Sequence, residues 1–177
     1  NTLLTTGDYE FMLNDSRAKA LVVSEALWPQ FAPILANCPN VKHVIVSGAN
    51  AQGRLRLQDL LGKAGPSFAT AATSCDDPCF WLYSSGSTGT PKGTVHIQSS
   101  MIYTAELYAR PVLGIRESDV VFSAAKLFFA YGLGNGLSFP LAVGATTVLM
   151  PERPTPAAVF KRLKDHQPTI FYGVPTL

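Results

Sequence analysis

Long apolar runs are missing from this sequence. No stretch approaches the length that crosses a bilayer, and no leader of charged, apolar and small-residue segments opens it. Both absences argue against a membrane protein and lead us to expect a cytoplasmic one. Charge is scarce: 15% of the residues are Asp, Glu, Lys or Arg, the net charge is +2, and no block of lysines or arginines occurs. A nucleic-acid partner is therefore not expected. Cysteine is rare and odd in number, with only Cys38, Cys75 and Cys79. That count gives no disulfide framework and suits free thiols in a reducing compartment. Cys75 and Cys79 are spaced C-x3-C, but no second pair and no histidine cluster accompanies them, so no metal site is expected. His43, His96 and His166 are scattered and read as structural.

What is abundant is apolar. Hydrophobic residues make up 47% of the 177, enough for a well-buried globular domain. Short apolar runs of strand length are Ala20-Leu21-Val22-Val23, Val44-Ile45-Val46, Phe80-Trp81-Leu82, Thr94 to Ile97, Val120-Val121-Phe122, Thr146 to Met150 and Thr169 to Tyr172. Helical patterns lie between them. Gly7-Asp8 can cap a helix with Tyr9, Met12 and Leu13 on one face, and Trp28-Pro29 opens a second, which Pro33 bends. Leu57, Leu60 and Leu61 mark a third. Ser99 or Ser100 can cap a fourth, with Met101, Ala105 and Tyr108 inward and its end at Arg110-Pro111. Tyr131 to Val143 reads as a buried helix whose glycines allow close approach. Thr155-Pro156 starts a last helix with Phe160 and Leu163 inward. The stretch 62–78 is rich in Gly, Ala, Ser, Thr and Pro and is a candidate internal boundary. Strands and helices alternate, and the strands are continuous rather than period-2. The fold expected is therefore a layered α/β/α domain with a largely parallel sheet covered on both faces.

The most informative stretch is Tyr83 to Gly93. Gly86, Gly89 and Gly93 leave open backbone, Ser84, Ser85, Ser87, Thr88 and Thr90 supply hydroxyls, and Lys92 supplies a single positive charge. Backbone amides freed by glycine can converge on an anion, and hydroxyls and an ammonium add donors. A phosphate chain fits such a loop. The plain alternative is a flexible polar linker. The P-loop spacing fails, because Thr90 and Pro91 separate Gly89 from Lys92, and the dinucleotide pattern G-x-G-x-x-G fails at Gly86-Ser87-Thr88.

From Ser84 to Gly93 every position resembles the signature loop of the adenylate-forming superfamily, which comprises acyl- and aryl-CoA ligases, luciferases and peptide-synthetase adenylation domains. The likeness extends over Asn1 to Thr5, Lys126 to Asn135 and Gly144 to Pro154, and is nearest to aryl-CoA ligases of the benzoate type. The resemblance implies that residues 1–177 are part of an N-terminal adenylation (AMP-binding) domain, cut at both ends. It implies ATP binding by Ser84, Ser85, Gly86, Ser87, Thr88, Gly89, Thr90, Lys92 and Gly93, with Thr88 and Lys92 serving catalysis. It implies an aryl pocket at Phe129, Ala130 and Tyr131, with Phe129 where many members carry histidine; the plain reading makes these core aromatics. The implied reaction takes an aromatic carboxylate, ATP with Mg²⁺, and coenzyme A. The metal-, adenine- and ribose-binding segments and a catalytic lysine of the family lie outside these residues, so the piece alone is expected not to turn over. A non-catalytic nucleotide-binding module, a ligase for another carboxylic acid, or an interaction domain whose glycine loop is a linker are the alternatives.

Overall fold

A computed structural model describes residues 1–85 and 89–175, with Ser85 described by its backbone alone. By its contacts the chain divides into two units, Asn1–Ala72 with Tyr83–Thr94, and Thr73–Leu82 with Val95–Leu177. Each unit holds a three-stranded sheet whose strand pairs are all parallel, and helices connect successive strands of a sheet except across residues 48–54, which hold turns alone. The α/β class expected from the apolar runs is the class found.

In the first unit the sheet runs in the order β1 (Ala20–Ser24), β2 (His43–Ser47), β3 (Leu55–Arg56). Helix α1 (Thr6–Asp15) is capped by Thr5, not by Gly7-Asp8. The Thr5 hydroxyl accepts the Asp8 N–H at 3.2 Å, and the Asp8 carboxylate accepts the Thr5 N–H at 3.0 Å. Asp8 lies three places into the helix, where a carboxylate reaches back to close a reciprocal capping box. Helix α2 (Trp28–Phe31) tightens into a 3₁₀ helix over Ala32–Asn37. Pro33 lacks the N–H that a continuing α-helix would use. One core joins these elements, with Leu21, Val23 and Val46 from the sheet against Tyr9, Leu13, Trp28, Phe31, Ile34 and Cys38. The opposite sheet face holds no fully buried residue. Val22, Ile45 and Leu55 stand in register across the three strands, and Val22 is 60% exposed. Helix α3 (Leu57–Lys63) buries none of its leucines.

Strands β4 (Pro78–Ser85) and β5 (Pro91–Ile97) pair with each other in a separate two-stranded sheet. Two expectations change here. Ser84, Ser85, Pro91, Lys92 and Gly93 are strand residues rather than loop, and β4 joins neither three-stranded sheet. It pairs instead with the next strand in sequence, across a link of residues 86–90 that is of the length usual between immediate strand neighbours.

The second unit contains α4 (Ser100–Thr104), which continues in wider turns over Ala105–Leu113 to Gly114 at φ 69°. It passes the expected stop at Arg110-Pro111, because the wider turns re-route hydrogen bonds around the proline. Ala105 and Ala109 are its buried residues, whereas Tyr108 stays half-exposed. Then follow β6 (Val120–Ser123), the helix α5 (Ala130–Leu133), which widens over Gly134–Ser138 and resumes as α6 (Phe139–Val143), and β7 (Thr146–Val148). Helix α7 (Pro156–His166) and β8 (Ile170–Tyr172) complete the unit, with sheet order β7-β6-β8. Thr155 caps α7 through the Ala158 N–H. Phe160, expected inward, is 68% exposed, while Val159 is buried with Leu163 packed beside it. Val159 and Leu163 are four residues apart and share a face, and Phe160 is turned from it by about 100°.

Strand β6 is the centre of this unit. Val121 packs on one side with Ala105, Ala109, Ile115, Phe139 and Tyr172, and Phe122 packs on the other with Ala124, Met150 and Val159. Both faces are covered here, as the continuous apolar run predicts. Among the described residues no helix is long and apolar enough to cross a membrane.

Candidate active site

The described residues of the glycine-rich segment lie at the end of β4 and the start of β5. Ser84 is exposed at the end of β4, and Ser85 follows it in the strand. Gly86, Ser87 and Thr88 lie outside the described residues. Gly89 has φ 84°, a conformation that only glycine adopts freely, and no neighbouring atom stands within 4 Å of a Cβ built there. Thr90 and Lys92 are exposed, and Gly93 is half-buried in β5. None of the ion pairs among the described residues involves Lys92. Its cation is thus not committed to a carboxylate of the described residues.

Just ahead of this segment, the Tyr83 hydroxyl donates to the Asp15 carboxylate at 2.7 Å, joining the strand to the last residue of α1. Burial, followed by the Asp15 carboxylate, raises the Tyr83 phenol well above its ordinary value, so it stays a donor at neutral pH. The sequence signals this contact poorly, since the partners are 68 positions apart.

The second unit carries a cavity of about 260 Å³, lined by Tyr108, Ala130, Tyr131, Gly134, Asn135, Phe139 and Tyr172. An apolar cavity of roughly 150 Å³ already accepts benzene, so this one has room for a ring and a polar substituent. Its walls are aromatic. Tyr131 meets Tyr172 edge-on at 6.3 Å, and Tyr108 tilts against Phe139 at 5.7 Å. The Tyr131 hydroxyl donates to the Gly173 carbonyl at 3.3 Å. The Tyr172 hydroxyl is buried and has no hydrogen-bond partner among the described residues. Burial above all, then the nearby Tyr108, Tyr131 and Asp119, pushes its phenol up to about 12. Asn135, also buried, adds an amide to the lining.

Of the three residues expected to form an aryl pocket, the structure puts Ala130 and Tyr131 on the cavity. Phe129 is not among its lining residues; its ring tilts against Phe128 at 4.6 Å. Tyr108, Asn135, Phe139 and Tyr172 were not anticipated. One available signal was topological: Tyr172 ends β8, and ligands of open parallel sheets collect at the carboxyl ends of strands. Cys38 is buried and Cys75 and Cys79 are exposed, all as free thiols. Among the described residues no cluster of three or more His, Cys, Asp or Glu side chains could hold a metal ion.

The described residues thus combine parallel sheets flanked by helices, an exposed stretch of Gly89, Thr90 and Lys92, and an aromatic-lined cavity. The family profile described as "AMP-binding enzyme" matches residues 1–177, and the chain belongs to that family. It is 68% identical over its whole length to the benzoate–CoA ligase of Thauera aromatica, of which it covers 33%. It is 47% identical, again over its whole length, to the 4-hydroxybenzoate–CoA/benzoate–CoA ligase of Rhodopseudomonas palustris, of which it also covers 33%. Among solved structures, the benzoate CoA ligase from Burkholderia xenovorans LB400 superposes with a TM-score of 0.89 at 54% identity, over 100% of this chain and 34% of that one. An anthranilate CoA ligase in complex with anthranoyl-AMP gives a TM-score of 0.95 at 39% identity, over 99% of this chain and 34% of that one. The chain therefore spans about a third of the length of these relatives.

Proposed function

We propose that these residues are part of the N-terminal adenylation domain of an ATP-dependent aryl-CoA ligase that activates benzoate or a closely similar ring acid. The observation that carries this reading is the cavity between Ala130, Tyr131, Phe139 and Tyr172, whose size and aromatic walls suit one ring. The names of two relatives matched over the whole chain, both ligases of benzoate-type acids, support the same substrate class.

In the proposed reaction a substrate carboxylate oxygen attacks the α-phosphorus of ATP, the bond to the β-phosphate oxygen breaks, and pyrophosphate leaves with its electron pair. The coenzyme A thiol then attacks the acyl adenylate, losing its proton and expelling AMP. The carboxylate is already ionised at neutral pH and needs no base. The task of Ser84, Ser85, Gly86, Ser87, Thr88, Gly89, Thr90, Lys92 and Gly93 is to hold the phosphates and offset the charge that grows on the leaving group. Preorganised donors do this with little reorganisation. Thr88 and Lys92 act on the leaving group, and Phe129 borders the aryl site sterically. Mg²⁺ arrives as part of the nucleotide complex, and no step is assigned to protein ligands for it. The proposed enzyme is cytoplasmic, with small molecules rather than nucleic acid or membrane as its partners.

The test is benzoate-dependent ATP–pyrophosphate exchange by the whole polypeptide of which these residues are part. Wild type exchanges label, and Lys92→Ala lowers the rate by about 10²-fold, as loss of one preorganised donor does. Absence of benzoate-dependent exchange in wild type removes the ligase reading. A Lys92→Ala rate equal to wild type removes the role given to that lysine.

A further inference from the structure

The turn that delivers Ala130 and Tyr131 to the cavity is held by a residue that does not itself line it. The Lys126 ammonium donates to the main-chain carbonyls of both Met150 and Glu152, in the loop after β7. The Glu152 carboxylate is in turn paired with Arg162 of α7 at 2.5 Å. At its other end, Lys126 meets the cavity wall through its backbone. Its carbonyl accepts the Phe129 N–H at 3.1 Å, and the Phe129 carbonyl accepts the Leu133 N–H at 2.8 Å to begin the helix. The same Lys126 carbonyl lies so close to Gly132 that a Cβ on residue 132 would collide with it, and the Ala125 carbonyl would stand 2.8 Å from that Cβ. One residue thus bears on both sides of the Ala130–Tyr131 pair, through Phe129 before it and Gly132 after it. Burial lowers the Lys126 pKa, an effect that Glu152 opposes and Arg162 reinforces. An ammonium placed there is retained because charge-assisted bonds to two carbonyls offset its desolvation.

We propose that Lys126 is a positioning residue for the aryl cavity, its ammonium anchoring the 126–129 turn to the Met150–Glu152 loop so that Ala130 and Tyr131 stand at a fixed distance from Tyr172. A neutral side chain at this position releases the turn, and the wall formed by Ala130 and Tyr131 shifts while the nucleotide-binding segment keeps its own anchors. The inference rests on the aryl-CoA ligase reading given above.

The experiment uses the whole polypeptide and compares wild type, Lys126→Met and Lys126→Arg in benzoate-dependent exchange, with thermal midpoints recorded beside the kinetics. Lys126→Met raises the KM for benzoate by about tenfold, in line with what small misplacements of substrate-positioning groups do. The KM for ATP stays within about twofold, since no substrate-binding group at the phosphates is touched. Lys126→Arg, which keeps the cation and its donors, recovers most of the benzoate KM. A merely structural lysine gives a different pattern, either a lowered midpoint with both KM values moving together or no kinetic change, and either result overturns the proposal. If Lys126→Met does not fold, Lys126→Gln keeps a neutral donor, and its benzoate KM is expected above that of wild type with the ATP KM unchanged; a benzoate KM equal to wild type in folded protein overturns the proposal. Wild type that shows no benzoate-dependent exchange brings down the ligase reading and this inference with it, whereas active wild type with an unaltered Lys126→Met profile brings down this inference alone.

Discussion

The two parallel sheets of this chain are made of similar sequence and packed differently. In the sheet β7-β6-β8, neighbouring residues of the central strand serve opposite sides: Val121 closes one core and Phe122 the other, and both are fully buried. In the sheet β1-β2-β3, the buried core lies on the side bearing Leu21, Val23 and Val46, and in the row Val22, Ile45, Leu55 on the other side no residue is fully buried. Ala-Leu-Val-Val and Val-Val-Phe look alike as sequence. What separates the sheets is whether the chain supplies a helix for each face. The second sheet has the helix from Ser100 to Leu113 with α6 on one side and α7 on the other, whereas the core of the first is built from α1, α2 and the 3₁₀ turn that follows. A continuous apolar strand therefore reports that both faces tolerate burial, not that these 177 residues bury both.

The comparison can be broken first at β6. Phe122→Ala should destabilise by about 3–5 kcal/mol, the range for emptying a packed aromatic site. Denaturant unfolding of the whole polypeptide measures it, and a midpoint unchanged from wild type would mean that the centre of the second sheet is not the shared wall described here. Next in size are the helix caps. Thr5→Ala removes the hydroxyl that receives the Asp8 N–H and with it one half of a reciprocal box, so it should lose about 1–2 kcal/mol. Thr155→Ala removes a single bond and should lose about 1 kcal/mol or less. Equal losses would show that the second bond of the Thr5 hydroxyl, its donation to the Asp8 carboxylate, adds nothing.

A smaller effect, confined to alkaline conditions, belongs to Tyr172. Its phenol is near 10 in an unfolded chain and about 12 in the fold. Below pH 10 it is neutral in both states and neutral to the balance. From pH 10 to about 12 the unfolded chain releases the proton and the folded chain retains it, so stability falls as pH rises. Tyr172→Phe should flatten that fall, and a pH series of thermal midpoints that is identical for wild type and variant would contradict it. The smallest change is expected on the open face. Val22→Thr alters a 60% exposed side chain and should shift stability by no more than about 0.5 kcal/mol. A loss of several times that value would mean that this face is covered in the whole polypeptide, which would erase the difference between the two sheets.

Much of the fold was legible because it is local. The apolar runs at 20–23, 44–46, 120–122 and 169–172 all became strands, and Pro33 altered its helix where a missing N–H must do so. The errors have physical causes too. Gly7-Asp8 reads as a cap because Asp is a good capping residue, but a carboxylate at the third helical position serves the same end from inside the helix. Phe160 was placed inward for its size, yet the helix phase that buries Val159 and Leu163 turns it outward. The helix from Ser100 was stopped at Pro111 by a rule for α-helices, and wider turns carried it to Leu113. At the site, Ala130 and Tyr131 were visible in the sequence motif, while Tyr108, Asn135, Phe139 and Tyr172 were not.

Sequence alone determined where the strands and caps lie, which residues crowd the glycine segment, and that a lone cation stands among its hydroxyls. Each of these follows from dihedral freedom, donor count or residue size within a few positions of chain. Only the tertiary structure decided which sheet face is covered and which side chains meet around the cavity. Tyr108 and Tyr172 are distant in sequence, and they become neighbours because β6 and β8 pair in parallel with Val121 opposite Ile170 and the helix from Ser100 packs across that sheet.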